Sequence, residues 1–302
     1  MKRGAAAPWQ PAVEAAIARA CGAAFSIRAL RPVAGGCIHR AFVVEGLVAE
    51  RVARWFVKTN DAPHADGFAA EADGLSAILA AGVRAPRPLC HGADDAHAWI
   101  VMEFVELAGP GDPARLGAQL AKLHAARGDA FGWRRDNWIG ATPQRNARSD
   151  DWTAFWAKQR LAPQLALARR NALGDGLARS GERLLDVLPR LLAGHRPRAS
   201  LLHGDLWGGN AGYLAGGEPI VFDPAVYYGD PEADLAMTEL FGGFAPAFYR
   251  AYREIVPPEP GYELRKDLYN LYHVLNHANL FGGGYAAQAQ AMMRRLLAAA
   301  GG

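Results

Sequence analysis

The chain has 302 residues, of which 51% are hydrophobic and 21% charged, and its formal net charge is +3. This length and composition allow a large buried core in one domain or two lobes and exclude wholesale disorder. The small net charge gives no support for a nucleic-acid partner. No apolar stretch approaches the length of about 18 residues that a membrane span requires.

The three cysteines, Cys21, Cys37 and Cys90, are widely spaced and form no Cys-x-x-Cys pair. A disulfide framework or a zinc site is therefore not expected, and a reducing compartment is the default. The basic first three residues are followed by an apolar segment too short and broken for a signal peptide. We expect a cytoplasmic protein without a membrane partner.

The first elements in chain order are a helix and a hairpin. Residues 11–21 have helical spacing, whereas residues 25–33 alternate as a strand and residues 41–45 form a second strand. Gly35 and Gly36 lie in the turn between the strands. Such a hairpin can cover phosphate groups with its backbone N–H groups, although most Gly-Gly pairs between strands are simple turns.

The next strand and helix add two charged residues to this hairpin. Residues 54–60 read as a third strand that carries Lys58, a candidate to pair with the α- and β-phosphates of a nucleotide. The helix beginning at residue 68 contains Glu71, which could form the strand-lysine to helix-glutamate ion pair of kinases. Isolated residues of these types are usually ordinary surface charges. The order hairpin, strand lysine, helix glutamate favours the ion pair.

Two further strands, near residues 89–92 and 98–106, complete a predicted five-stranded antiparallel sheet with one main helix. The last strand leads into the connection between two lobes. There the backbone of Glu103 to Val105 could bind an adenine edge. Backbone recognition leaves no side-chain signature, so this placement depends on the order of the elements alone.

The predicted structure is mainly helical from this point onward. We therefore expect a nucleotide-binding N-terminal lobe over residues 1–105 and a C-terminal lobe over residues 106–302 that holds the catalytic loop and the substrate site. Residues 131–146 form a long polar and aromatic loop, and such loops tend to be functional. Two interpretations remain open: a substrate-side wall of the cleft, or a loop packed down by its aromatic side chains.

The most informative stretch is LLHGDLWGGN at residues 201–210, which has the His-x-Asp-x-x-x-x-Asn spacing of a kinase catalytic loop. Asp205 can orient a substrate hydroxyl and accept its proton. A hairpin predicted after Asn210 carries Asp223 back beside it. Because carboxylate and amide oxygens suit Mg²⁺, Asn210 and Asp223 are candidate ligands for Mg²⁺ shared with a nucleotide.

Residues around this stretch have structural interpretations. We expect His203 to brace the loop and Asp234, at a helix start, to hold the loop backbone. Only about ten residues follow Asp223 before that helix, too few for the activation segment that seats a peptide in protein kinases. The acceptor is therefore predicted to be a small molecule or a single modified side chain. His273 and His277, at i and i+4, are more typical of packed or cleft-lining residues than of a metal pair.

The chain resembles the fructosamine kinase (ketosamine-3-kinase) family over residues 11 to 300. The resemblance is carried by short blocks spread over this range. They are Gly35-Gly-Cys-Ile38, Phe56-Val-Lys-Thr-Asn60, Phe131-Gly-Trp133, Asp136-Asn137, Ile139-Gly140, Thr142-Pro-Gln144, His203-Gly-Asp-Leu-Trp207, Phe222-Asp-Pro-Ala225, Tyr228-Gly-Asp230, Asp234 to Gly243, Asn276-His277 and Asn279 to Gly283.

The resemblance implies an α+β, bilobal, protein-kinase-like fold and ATP-dependent phosphorylation of the 3-hydroxyl of ketosamines, whose unstable products lose the sugar. By position it implies that Lys58 and Glu71 handle the nucleotide, that Asp205 is the base, and that Asn210 and Asp223 bind Mg²⁺.

On the acceptor side, Trp207 follows the base closely and is either a stacking surface for the sugar or a packing residue of the loop. His277 is placed on the substrate side of the cleft. The implied partner is a ketosamine or a glycated amine or protein side chain, and the chain is expected to be a monomer or weak homodimer.

His39 and Arg40 follow the glycine turn where a small polar residue is expected in this family. Cys37, at the tip, is either an inert turn residue or an exposed thiol sensitive to oxidation. Two other functions are considered. One is a kinase of another small acceptor, such as an aminoglycoside or choline. The other is a non-catalytic nucleotide-binding protein, which the intact Lys58 and Asp205 disfavour.

Overall fold

The computed structural model describes residues 7–34 and 38–301. Its N-terminal part contains a five-stranded antiparallel sheet with the strand order β1-β2-β3-β5-β4. The sheet confirms the strand number and direction predicted from the sequence. The strands are β1 Phe25–Val33, β2 Arg40–Val48, β3 Arg51–Asp61, β4 Pro88–Ala93 and β5 His97–Glu103.

The sheet is covered on both faces by helices. Helix α1 (Gln10–Cys21) packs on one face and helix α2 (Ala65–Ala80) on the other. Successive side chains of β5 point to opposite faces, so Trp99 and Val101 contact the α1 side while Ile100 and Met102 contact the α2 side. Burial of both faces explains why β5 reads as a continuous apolar run.

We predicted that the last strand continues to residue 106. In the structure, β5 ends at Glu103. Glu103 still pairs with Trp55 of β3, and its backbone N–H donates to the carbonyl of Arg87, the residue before β4 (2.8 Å). Its carboxylate forms a bidentate pair with Arg84 at 2.6 and 2.9 Å. These contacts fix the last strand residue at the point where the chain leaves the sheet.

The rest of the chain is mainly helical and forms the second lobe. Buried residues of α2 and β5 belong to the same apolar cluster as the C-terminal helices, so the two lobes share one core. The helices are α3 Pro113–Ala125, α4 Trp152–Phe155 with a π-helical turn Trp156–Leu161, α5 Ala162–Arg170, α6 Asp175–Leu191, α7 Pro231–Leu240, α8 Pro246–Ile255, α9 Tyr262–Phe281 and α10 Tyr285–Ala299.

In the described part of the chain, three two-stranded ladders interrupt the helices. In one, β9 (Ala211–Tyr213) pairs with β10 (Pro219–Val221), which confirms the hairpin predicted after Asn210. In another, β8 (Ser200–Leu202) pairs with β11 (Tyr227–Gly229). The third, β6 (Asn137–Ile139) with β7 (Thr142–Gln144), lies within the long loop.

Across residues 7–34 and 38–301, none of the helices combines the length and the apolarity that crossing a bilayer requires.

Candidate active site

The catalytic loop begins where β8 ends, and a buried carboxylate holds its backbone. Asp234, at the start of α7, accepts hydrogen bonds from the His203 N–H (2.6 Å) and the Gly204 N–H (2.8 Å). His124 Nε2 lies 3.2 Å from the same carboxylate. The structure thus confirms the bracing role predicted for Asp234.

Gly204 is required at this turn for two reasons. Its φ of 81° is a left-handed conformation that residues with a Cβ rarely adopt. A Cβ at this position would also lie 2.0 Å from the Ala225 carbonyl oxygen. The loop therefore packs directly against the backbone that follows Asp223.

His203 joins the two acidic segments of the site. Its imidazole is fully buried, Nε2 lies 3.1 Å from the Phe222 carbonyl oxygen, and Nδ1 accepts the Asp205 N–H at 3.3 Å. Because Nδ1 is the acceptor, Nε2 carries the proton, and the Nε2–H donates a hydrogen bond to the Phe222 carbonyl oxygen. Burial lowers the pKa of His203, which keeps the ring neutral. His203 is therefore a brace, as the sequence predicted, and not the base.

Asp205 and Asn210 are in direct contact. The Asn210 side-chain nitrogen donates to the Asp205 carbonyl oxygen (2.8 Å) and lies 3.2 Å from its carboxylate oxygen Oδ2. This orientation leaves the Asn210 amide oxygen as an acceptor. Phe222 N–H donates to the Asn210 backbone carbonyl at 3.0 Å, which brings Asp223 beside Asn210. Burial, followed by the charge of Asp223, raises the pKa of Asp205 well above its usual value.

Lys58 lies between two carboxylates from distant parts of the chain. Its ammonium nitrogen is 2.7 Å from Glu71 Oε1 and 2.6 Å from Asp223 Oδ1. The first contact is the predicted ion pair between β3 and α2. Burial alone would lower the pKa of Lys58, but the charges of Asp223 and Glu71 outweigh it and raise the pKa above its usual value. The amine is therefore a permanent cation in the cleft.

A cavity of about 460 Å³ opens between Lys58 and the last strand residues of the sheet. Its volume lies in the range of small-ligand pockets, and its walls are mostly apolar with a charged end. The Glu103 N–H is already bonded, so an adenine contact from this residue would use its carbonyl oxygen. The lining includes Val33, Ala34, Ile38, His39, Phe56, Lys58, Met102, Glu103, Val105, Ile220, Phe222 and Asp223.

Gly35 and Gly36, which we predicted to cover the phosphates, lie outside the described residues, as does Cys37. The residues next to this gap, Ala34 and Ile38, line the cavity.

Beyond Asp205, aromatic rings form a continuous row. Trp207 packs its ring against Gly209 of the same loop and is still 40% exposed. Its ring centroid lies 6.3 Å from that of Phe241, which lies 4.7 Å from His277. The row continues to Phe281 and Tyr285, at 5.5 and 5.2 Å from His277. Trp207 and His277, predicted separately, are thus connected through Phe241.

The long loop is packed down, in agreement with the second of the two interpretations considered for it. The Trp133 indole N–H donates to Asp73 on α2 (2.6 Å). The side-chain amides of Asn137 and Gln144 donate to the carbonyls of Val226 (2.8 Å) and Ala225 (3.0 Å). The loop therefore connects the helix that carries Glu71 to the segment that follows Asp223.

The histidines of α9 do not form a metal pair. His273 is buried, and Nδ1 of His277 lies 2.9 Å from the backbone carbonyl oxygen of His273. Within the described part of the chain, the single cluster of three potential metal ligands is His195, Asp230 and Glu232. His195 already pairs with Asp230 (2.6 Å), and Glu232 pairs with Arg265, so this cluster is an internal ion-pair network.

Sequence reasoning missed three contributors to the site. Phe241 is followed by two glycines and gave no periodic signal. Asp73 was not singled out, because its partner Trp133 lies 60 residues further along the chain. His39 was noted as unusual in its position, but its place on the cavity wall required coordinates.

Taken together, a buried lysine between two carboxylates, a braced loop aspartate and the two-lobed fold define a phosphotransferase of the protein-kinase-like class. The model of the fructosamine kinase family matches residues 9–299, and the chain belongs to this family.

Relatives of similar length support this assignment. A Synechocystis protein named "Probable ketoamine kinase" is 48% identical over 96% of this chain and 97% of its own length. The chloroplastic protein-ribulosamine 3-kinase of Arabidopsis thaliana is 40% identical over 90% of this chain and 83% of its own length.

Solved structures give the same result. A Thermobifida fusca protein assigned as a fructosamine-3-kinase superposes with a TM-score of 0.82 at 34% identity, covering 95% of this chain and 98% of that one. Its counterpart from Haemophilus somnus reaches 0.86 at 26% identity, covering 94% and 96%. The aminoglycoside phosphotransferase APH(4)-Ia, at 0.61 and 19% identity over 96% and 99%, shares the fold alone.

Proposed function

We propose that this protein phosphorylates the 3-hydroxyl group of ketosamines, using ATP as the phosphoryl donor. The observation that carries the proposal is the arrangement of Asp205. On one side, Asp205 lies against Asn210, which is next to the Lys58–Asp223 pair. On the other side, the chain continues to the exposed ring of Trp207. A base at the junction of an anion-binding pocket and an aromatic surface fits transfer from a nucleotide to a small organic acceptor.

The nucleotide would occupy the cavity in front of the sheet. Its apolar lining suits an adenine ring, and the backbone from Glu103 to Val105 is the proposed contact for the adenine edge. Lys58, held by Glu71, is placed to neutralise the α- and β-phosphates. Gly35 and Gly36 remain predicted backbone donors to the phosphates.

Asn210 and Asp223 fit a Mg²⁺ site. The Asn210 side-chain nitrogen is engaged by Asp205, so the amide offers its oxygen, and the Asp223 side chain is 49% exposed to the cleft. Both donors are hard oxygens, which Mg²⁺ prefers. When bound, Mg²⁺ would offset the negative charge that accumulates around the phosphates.

In the proposed reaction, the oxygen of the 3-hydroxyl bonds to the γ-phosphorus, and the Asp205 carboxylate accepts the proton of that hydroxyl. The bond between the γ-phosphorus and the bridging oxygen breaks, and ADP leaves. The chain contributes mainly by positioning and charge neutralisation, because phosphoryl transfer needs little covalent help from the protein.

The acceptor would lie against Trp207 and the rings beside it. A sugar presents a C–H-rich face that packs on an indole, and the secondary amine of a ketosamine is a cation that aromatic faces attract. Phe241 and His277 extend the surface away from Asp205, which leaves room for the amine substituent. Free ketosamines and glycated side chains are therefore both proposed acceptors.

An assay panel tests the proposal against the other acceptors considered. ATP consumption would be measured with fructosamine, ribulosamine, an aminoglycoside and choline, and the phosphorylated hydroxyl would be located by NMR. We expect turnover with ketosamines and phosphorylation at the 3-position. Preferential turnover of the aminoglycoside or choline would refute the substrate. Nucleotide binding without turnover on any acceptor would support the non-catalytic alternative.

Several features remain predictions. These are the lobe boundary at residue 105, a cytoplasmic location, a monomeric or weakly dimeric state and the lack of a nucleic-acid or membrane partner.

A further inference from the structure

His39 forms part of the same cavity wall as Lys58 and Asp223. Its imidazole packs against Phe68 of α2, with ring centroids 4.7 Å apart, and the His64 ring meets it edge-on at 5.8 Å. The ring is thus held on one side by a buried aromatic residue. It is not a free surface side chain.

Asn60 determines which nitrogen of this imidazole carries the proton. The Asn60 side-chain nitrogen donates to the Ile38 carbonyl oxygen at 3.1 Å, which fixes the orientation of the amide. The same nitrogen lies 2.9 Å from His39 Nδ1. Because an amide nitrogen only donates, Nδ1 must accept, and the proton is therefore on Nε2.

The Nε2–H group has no acceptor within hydrogen-bonding distance among residues 7–34 and 38–301. Burial, reinforced by the positive charge of Lys58, lowers the pKa of His39 to about 4. The ring is consequently a neutral donor at physiological pH. It lies on the cavity wall at the end where the charged residues are found.

We infer that the Nε2–H of His39 donates a hydrogen bond to a phosphate oxygen of the bound nucleotide. The inference rests on the proposed nucleotide site and adds to it a side chain that neither the kinase signature nor the family resemblance assigned. Lys58 contributes a full positive charge, whereas the neutral imidazole held by Asn60 and Phe68 contributes a directed donor.

Three variants separate the donor from the ring. His39→Phe keeps an aromatic ring against Phe68 but removes the donor. His39→Gln replaces Nε2–H with an amide N–H at a similar reach. His64→Phe changes the neighbouring imidazole, which does not line the cavity, and serves as the matched control.

Affinities for ATP, ADP and adenosine would be measured by calorimetry with the full-length proteins. A hydrogen bond to a charged group is worth enough to predict about a tenfold loss of ATP and ADP affinity in His39→Phe. Adenosine affinity should not change, because it carries no phosphate. His39→Gln should recover most of the loss, and His64→Phe should bind like the parent protein.

An equal loss of adenosine affinity would overturn the inference, because His39 would then only shape the pocket. Unchanged ADP affinity in His39→Phe would also overturn it. If the parent protein binds no adenine nucleotide, the proposed function itself fails, and this outcome is distinct from either of the others.

A second measurement needs no variant and therefore no assumption about folding. In protein with ¹⁵N-labelled histidine, NMR should show His39 as the Nε2–H tautomer, with an Nε2 resonance that shifts on addition of ADP and not of adenosine. An Nδ1–H tautomer, or the same shift with both ligands, would refute the inference.

Discussion

The ammonium group of Lys58 lies 2.6 Å from a carboxylate oxygen of Asp223, a residue 165 positions further along the chain. Strand β3 supplies the lysine, and the end of the β9–β10 hairpin supplies the aspartate. The contact therefore joins the sheet of one lobe to the catalytic segment of the other. When a nucleotide with Mg²⁺ binds, its phosphates would contact Lys58 and the metal would contact Asp223. The ligand would therefore lie between the two residues.

The first prediction concerns metal dependence. In Asp223→Asn, we expect the gain in ADP affinity that Mg²⁺ provides to fall about tenfold or more, because a metal ligand is lost. ADP affinity without metal should be kept, since the variant has one fewer anion to repel the phosphates. Asparagine tolerates the left-handed φ of 57° at this position. Calorimetry with Mg²⁺ and with EDTA measures both values. Asp66→Asn, an exposed acid of α2, is the control, and an undiminished Mg²⁺ effect in Asp223→Asn would contradict the ligand assignment.

The second prediction concerns the base. Asp205→Asn keeps the size of the side chain but cannot accept a proton. Turnover should fall roughly 10²- to 10⁴-fold, the usual contribution of a positioned base. The dissociation constant for ADP should stay near that of the parent protein. Turnover within a few-fold of the parent value would remove Asp205 from the mechanism.

The third prediction concerns the acceptor surface. Trp207→Ala should raise the KM for a ketosamine about tenfold and leave the KM for ATP unchanged, because the lost ring is the proposed contact for the acceptor. Trp207→Phe should retain much of the affinity. Steady-state kinetics with each substrate varied separately gives both constants. Equal effects on both KM values would indicate a disturbed loop and not a lost contact.

The fourth prediction compares two acids on one helix. Asp73 accepts the Trp133 indole N–H and its side chain is 16% exposed, whereas Asp66 pairs with Arg135 and its side chain is 72% exposed. Asp73→Ala should cost about 1–3 kcal/mol of unfolding free energy, since a buried donor loses its partner. It should also raise the KM for ATP, because α2 carries Glu71.

Asp66→Ala is the matched control for this change and should cost about 0–1 kcal/mol, as exposed ion pairs do. Chemical denaturation and ATP kinetics measure both variants. Equal destabilisation by the two changes would argue against the loop as an anchor of α2.

The fifth prediction concerns pH. Burial, with a smaller effect of His277, lowers the pKa of His273 to about 3. Between this pKa and the ordinary value of about 6.5, this histidine binds a proton in the unfolded chain only. Its contribution to the unfolding free energy is therefore fully present above this pH window and is lost as the pH falls through it. Each such group gives a slope of up to about 1.4 kcal/mol per pH unit. Urea denaturation of His273→Gln should show a shallower acid limb, and an unchanged slope would contradict the assignment.

Local patterns in the sequence were sufficient for much of this fold and site. The hairpin after Asn210 brings Asp223 back over a short distance, and the order of strands and helix placed Lys58 opposite Glu71. Each relationship depends on neighbouring elements whose geometry is nearly standard, so spacing alone predicts it.

The features that escaped prediction depend on distant contacts. The buried amides of Asn137 and Gln144 bind backbone carbonyls more than 80 residues away, and no periodicity records such pairings. Phe241 joins Trp207 to His277 only because a loop and two helices meet there. Gly35 and Gly36 lie outside the described residues, so their role stays a prediction.

The pairing of β11 with β8 has a consequence for control of the enzyme. The segment after Asp223 is a strand hydrogen-bonded to the one that leads into the catalytic loop, and α7 begins directly after it. In switchable kinases, this part of the chain is long enough to refold between a resting and a working arrangement. In this protein, the segment is short and its backbone is hydrogen-bonded to β8. We therefore expect that refolding of this segment does not switch the enzyme between a resting and a working state.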